Sequence, residues 1–220
     1  MKVVKKITNM ALANDWIDKN PFMNIHFHEQ EVHKEFLTKE ELEILRTKVV
    51  NVPRLELVRD IFLFQCWTGL AFIDVSELKP EHLVTDNQGN VWIRKSRQKT
   101  KVMCNIPLLD IPLAILDKYK GYPLCENKGT LLPVPCNQKA NSYLKEIADF
   151  CGIKKNLTTH AGRHTFSTVV TLANNVSLEN VSKMLGHTNT KMTQRYAKVL
   201  DQSILRDMQN VRENFSPKTT

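Results

Sequence analysis

The chain has 220 residues, with 31 Lys and Arg against 23 Asp and Glu and a net charge of +8. Apolar residues at 42% and charged residues at 25% give ordinary globular composition, enough to bury a core without disulfide staples. The 7 Gly and 9 Pro, with no low-complexity run, exclude collagen-like, mucin-like and disordered chains, and no stretch approaches the ~18–20 apolar residues of a membrane span. Lys5 and Lys6 interrupt the N-terminal region before it reaches signal-peptide length, so secretion is not expected. The cysteines, Cys66, Cys104, Cys125, Cys136 and Cys151, are odd in number and lack CxxC spacing, which argues for reduced thiols in a cytosol and against a zinc site. A pI near 9.2 points to an acidic partner, nucleic acid first, with a merely solvated basic surface as the alternative.

In chain order, residues 3–18 read as a short helix ending before Asn20-Pro21, and 20–37 as a linker. His26 and His28 form an isolated HxH in that linker, read as incidental; no metal is expected. Thr38 and Glu41 make a capping box ahead of Leu42 and Leu45. A second helix over about 54–67 carries Leu55, Val58, Ile61, Phe62 and Phe64 and stops at Thr68-Gly69, with Gly69 suited to a left-handed cap. A short helix then runs to Leu78, before Pro80. Residues 82–107 alternate in strand fashion around a DNQGN turn and a basic turn from Lys95 to Lys101. Helices follow over about 110–120, 137–150, 160–174, 178–185, 188–197 and 202–215. The predicted fold class is mainly α with a small antiparallel three-stranded β-sheet.

Two segments carry candidate chemistry. His160 and Arg163, three apart, share a face at the start of a helix, where free backbone N–H groups also favour an anion. A surface histidine and a salt-bridged arginine are the plain alternative. Gly186 closes a helix, His187 sits in the turn, and Tyr196 follows nine residues later. By itself, 178–197 fits a helix-turn-helix regulator, and Tyr196 a ring packed on the core.

Together, HAGRHTFSTVV, LGHTN and TQRYAKV resemble the C-terminal catalytic signature of the tyrosine recombinases, the phage-integrase type of site-specific recombinase. That signature is HxxR, then LGH, then a tyrosine nine residues past the second histidine. The Thr68-Gly69-Leu70 turn and the basic turn ending in Ile106-Pro107-Leu108 match as well, so the resemblance covers about 38–200. The linker NPF followed by FLTKEEL is most similar to the conjugative-transposon and mobile-element branch. The implied organisation is a helix remnant of a core-binding domain plus linker over 1–37, a catalytic domain over 38–200, and a tail over 201–220. In that tail Ile204, Met208, Val211 and Phe215 form an apolar stripe, which the resemblance implies packs on a neighbouring protomer, with packing on its own domain as the alternative. The chain is then expected to be a catalytic fragment.

The resemblance also implies roles. Tyr196 is the nucleophile that forms a 3′-phosphotyrosyl link, Arg163 clamps the phosphate, and His160 and His187 bond the phosphate and help move the tyrosine proton. Lys99, nine residues before Leu108, is the general acid for the 5′-oxygen. The chemistry is consistent with this division. A free phenol has a pKa near ~10 and needs activation; guanidinium forks match phosphate oxygens in a way an ammonium does not. The phosphotyrosine conserves the bond energy, so no cofactor is expected. Asp74 and Glu77 are expected to buttress the site or to lie on a helix surface. Lys95, Arg97, Lys101, Lys154 and Lys155 are candidate contacts to backbone phosphates.

One departure stands out: the family has Arg directly after Thr-Gly-Leu, and this chain has Ala71. Arg59, mid-helix in an apolar stretch, is the expected substitute, with Arg94 and Arg97 as rivals and pairing with Glu56 or Asp60 as the plain alternative. The expected partners are double-stranded DNA, a homo-tetramer formed on it from free monomers, and accessory DNA-bending proteins, with no membrane, in the bacterial cytosol at the nucleoid. The competing functions are a catalytically impaired DNA-binding integrase remnant, a helix-turn-helix regulator, and a type IB topoisomerase.

Overall fold

The computed structural model describes residues 2–23, 25, 35–197, 204, 205, 208, 209 and 212. It divides into two compact units, Met1–His33 and Lys34–Thr220. The predicted linker histidines His26 and His28 lie outside the described residues. The first unit holds helix α1 (Lys2–Ala13), whose Val3, Ile7 and Met10 are exposed, and a turn tied back by an Asn20 Nδ2 donor to Asn9 Oδ1 at 3.0 Å.

The second unit begins with α2 (Lys39–Thr47), started by the predicted capping box: Thr38 Oγ1 accepts from Glu41 N, and Thr38 N donates to Glu41 Oε2 at 2.7 Å. The central element is α3 (Pro53–Thr68). Proline at its first position sets φ where no N–H partner is needed. Its side chains are apolar around most of its circumference, so it is buried on several sides at once. It packs against α5 (Asp110–Lys118), α7 (Asn137–Cys151) and α8 (Thr159–Thr165). The short α4 (Phe72–Ser76) follows the Gly69 turn.

The predicted sheet forms with order β1-β2-β3 from β1 (Leu83–Thr85), β2 (Val91–Ser96) and β3 (Met103–Pro107), all antiparallel. Ile93 pairs with Leu83 and Ile106, and Lys95 with Cys104. The first turn is fixed by Asp86, which accepts the N–H groups of Gln88 and Asn90 and the Trp92 indole N–H. The Asn90 side-chain amide first, then the Trp92 indole, hold its carboxyl down at about 2.

Three helical segments depart from expectation. A short helix, α6 (Pro123–Lys128), forms between Pro123 at its first position and a left-handed Gly129. The predicted 160–174 helix starts as α8 but becomes a π-helix over Phe166–Thr171 and a 3₁₀ turn over Leu172–Asn174. Thr171 Oγ1 donates to the carbonyls of Phe166 and Ser167 there, which accommodates the widened ladder. After α9 (Leu178–Met184), the predicted 188–197 helix is reduced to α10 (Lys191–Gln194). Of the tail stripe, Ile204 and Met208 are helical and exposed, and Val211 and Phe215 lie outside the described residues.

A buried carboxylate joins α3 to α5. Asp60 Oδ1 accepts from Arg59 Nε and Nη2 at 3.1 and 2.9 Å, and Oδ2 accepts from Lys118 Nζ and Tyr119 Oη at 2.6 and 3.0 Å. Arg59 also donates to Lys48 O at 2.7 Å.

Where α3 ends, Gly69 has φ +68, and a Cβ there would lie 2.3 Å from Phe166 Cδ1. The Gly69→Ala variant is expected to lose about 2–4 kcal/mol through left-handed strain and overpacking. Urea unfolding of the variant against the parent chain measures this.

Candidate active site

The site is assembled around α8. Thr159 ties the start of that helix to α7, its N–H donating to Asn141 Oδ1 at 2.8 Å and its hydroxyl to Asn137 Oδ1 at 3.0 Å. Gly162 lets α8 lie tightly on α3, since a Cβ there would sit 3.0 Å from Gln65 Cβ. Arg163 is thereby buried at the end of α3. Its Nη1 donates to Gly69 O and its Nη2 to Leu185 O, both at 2.6 Å. Nη2 also lies 3.1 Å from His187 Nε2. Burial, with the nearby Arg97 charge, pushes the guanidinium down to about 10, so it stays charged at neutral pH.

His187 follows Gly186, which closes α9 with φ +60. Arginine only donates, so His187 Nε2 accepts from it. The neutral ring then carries its proton on Nδ1 and donates to the buried Thr193 Oγ1 at 2.8 Å. Burial first, then the Arg163 and Arg97 charges, push this imidazole down to about 4.

Tyr196 is buried in a small cluster with Phe166, Val181 and Leu185. Its ring stacks parallel to His187 at 6.2 Å and edge-on to His164 at 4.8 Å. His164 in turn meets the exposed His160 ring at 4.7 Å. The phenol is near enough to Arg163 to act on its charge. Tyr196, Arg163 and His187 are therefore brought together, with His160 joined to them through His164.

The β2–β3 turn docks on the same place. Thr100 Oγ1 donates to Gly186 O at 2.8 Å, and Gln98 N donates to the buried Asp74 Oδ1 at 2.9 Å. Lys99 stands exposed between these two anchors. Asp74 is a buttress of this turn, not a surface carboxylate.

Other expected residues lie elsewhere. Arg59 is not part of the site: the buried Asp60 carboxylate and the Lys48 carbonyl hold it, about 15 Å of helix away from Gly69. Lys95 points inward from β2, within 3.7 Å of Glu77 Oε2, because strand alternation turns it to the buried face. Lys155 is bonded to Phe36 O and Glu41 Oε2, fixing the chain ahead of α2 instead of facing solvent. Lys101 and Lys154 are exposed. Two site residues escaped sequence reasoning. His164 sits one turn beyond His160, a spacing that marks the same face. Thr193 gives no signal apart from its contact with His187.

Among the described residues there is no group of three or more His, Cys, Asp or Glu placed to hold a metal, and no helix long and apolar enough to cross a membrane.

Residues 35–203 match the phage integrase family, so the chain belongs to that family, the tyrosine recombinases. Transposase B from transposon Tn554 of Staphylococcus aureus is 24% identical over 194 residues, 82% of this chain and 30% of the relative. The chain thus spans under a third of that protein's length. A lambda integrase (75–356) dimer bound to a COC′ core site superposes with a TM-score of 0.68 at 20% identity, covering 89% of this chain and 70% of that one. The XerH site-specific recombinase, bound to palindromic difH substrate in a post-cleavage complex, gives 0.66 at 20% identity, with 93% and 66% covered. These two likenesses are of fold.

The depressed His187 imidazole makes stability pH-dependent. An unfolded histidine takes a proton near pH 6.5, and the folded one near 4. The stability held by neutral His187 is complete above about pH 6.5 and declines as pH falls toward 4. Urea midpoints of His187→Asn are expected to show a shallower decline in this window, by up to about 1.4 kcal/mol per pH unit.

Proposed function

We propose that this chain is the catalytic part of a site-specific DNA recombinase that cuts and rejoins strands through Tyr196. The observation that carries the reading is the meeting of Tyr196, Arg163, His187 and the His160–His164 pair in one place, from segments separate in sequence. The docked turn beside them presents Lys99.

In the proposed reaction the Tyr196 oxygen attacks the scissile phosphorus while its proton passes to a neighbouring imidazole. A P–O bond to the tyrosine forms and the P–O5′ bond breaks. Lys99 protonates the departing 5′-oxygen, leaving a 3′-phosphotyrosyl strand and a free 5′-hydroxyl. Arg163 holds the charge that builds on the non-bridging oxygens. Attack by a 5′-hydroxyl from another duplex reverses these steps and joins new partners, so no external energy source is needed. DNA as partner is supported by the +8 charge and by the relatives solved on core site and difH substrate. Four protomers would act on two paired sites, with the exposed lysines Lys101 and Lys154 on backbone phosphates.

The test uses nicked suicide duplexes with a randomised core, incubated with the protein and resolved on denaturing gels. A covalent protein–DNA adduct is expected, with at least a 1,000-fold loss in Tyr196→Phe. Absence of any adduct, with DNA binding retained, would establish a binding-only role.

A further inference from the structure

Position 71 holds no guanidinium. Ala71 caps α4 with nothing beyond a methyl group, and Arg59 is committed to Asp60. Arg94, the second rival, is exposed on β2 opposite Asn105, on the face turned away from the inward-pointing Ile93 and Lys95.

Arg97 differs from both. It begins the β2–β3 turn, its N–H donating to Val102 O at 2.9 Å and its carbonyl accepting from Lys101 N at 2.8 Å. Its root touches the Gly186 turn: a Cβ on Gly186 would lie 3.2 Å from Arg97 Cβ and 2.7 Å from Cys104 Sγ. Gly186 is thus the residue that permits Arg97 to sit beside His187. The side chain is half-buried, and its Nε and Nη1 atoms are withdrawn from solvent without a hydrogen-bond partner among the described residues. Arg46, Arg54, Arg59 and Arg163 all have partners. Desolvated charged donors left unmatched are costly, and they are found where a ligand completes them.

The unmatched donors face a place that is already cationic. The Arg97 charge bears on both Arg163 and His187, and Cys104 lies in the field of Arg163, Arg97 and Asp74 together. Asp74 makes no hydrogen bond to Arg97. One of its oxygens is spent on Gln98 N, and the other is buried without a partner. The Arg97 and Arg163 charges both bear on His187, and among the described residues neither guanidinium has an ion pair to a carboxylate, an arrangement that an anion stabilises.

We infer that Arg97 supplies the second phosphate-clamping guanidinium that position 71 lacks, closing with Arg163 on the scissile phosphate. This rests on the recombinase reading above. The turn that delivers Lys99 to the leaving oxygen then delivers a clamp to the non-bridging oxygens as well. Asp74 is a positioning residue for both, through the Gln98 backbone.

The experiment compares two suicide duplexes of one selected sequence, one with a phosphodiester at the cleaved position and one with an uncharged methylphosphonate. Total cleaved strand is read, so that each variant is compared with itself and a partial folding defect cancels. The parent chain should prefer the phosphodiester. Arg97→Ala and Arg97→Gln should lose about 100-fold or more on it and recover to within about 10-fold of the parent on the methylphosphonate, which carries no charge to offset. Arg94→Ala should keep the parental preference. Phosphodiester cleavage by Arg97→Gln within threefold of the parent overturns the assignment, as does an equal loss on both substrates. Absence of cleavage by the parent chain itself, or cleavage by Tyr196→Phe, would instead overturn the recombinase reading.

Discussion

One buried guanidinium organises the region around Tyr196. Arg163 reaches from α8 to the carbonyl that closes α3 and to the one that closes α9. Both carbonyls are among the orphan acceptors at a helix C-terminus, where the dipole is negative and a cation is favoured. A planar fork with five donors serves both ends and still approaches His187. The burial of this charge is thus matched by backbone dipoles instead of a carboxylate. A carboxylate would have neutralised the site for anion binding.

The same logic sets this cation apart from those paired with carboxylates. Arg59 and Lys118 share Asp60, Lys155 is bonded to Glu41, and Arg54 is paired with Glu146 at 2.9 Å. Those ions hold α3, α5, α7 and the entry to α2 in place. Around Tyr196 the pattern differs: Arg163 is bonded to backbone carbonyls, the Arg97 charge bears on it, and the buried Asp74 carboxylate accepts a backbone N–H. The hairpin is coupled to this centre through Gly186, so strand geometry and site geometry are one problem. The π-helical widening after α8 lies directly beside it, as Phe166 packs both on Gly69 and in the Tyr196 cluster.

Much of this was legible in the sequence. The Thr38–Glu41 box, the apolar run of α3, its Gly69 stop and the alternation of β2 and β3 are local signals with local causes. So was the set Tyr196, Arg163, His160 and His187, because its spacing is shared with a family. The departures among the expected site residues concern side-chain direction. Arg59 was expected at the site because a guanidinium in an apolar helix needs an anion; it has one, and the anion is its own neighbour Asp60. Lys95 and Lys155 are candidate phosphate contacts by sequence, but strand alternation turns the first inward and Glu41 binds the second. Thr193 had no signature of its own.

The sequence by itself determined most of the elements, the family and the candidate residues of the site, since periodicity, caps and spacing act over a few residues. Only the tertiary structure decided which cations are paired with carboxylates and which are not. That outcome depends on contacts such as Arg163 to Gly69, 94 residues apart, and Thr100 to Gly186, 86 apart. No local pattern encodes such pairings, because they arise when separate surfaces pack and compete for the same few polar partners.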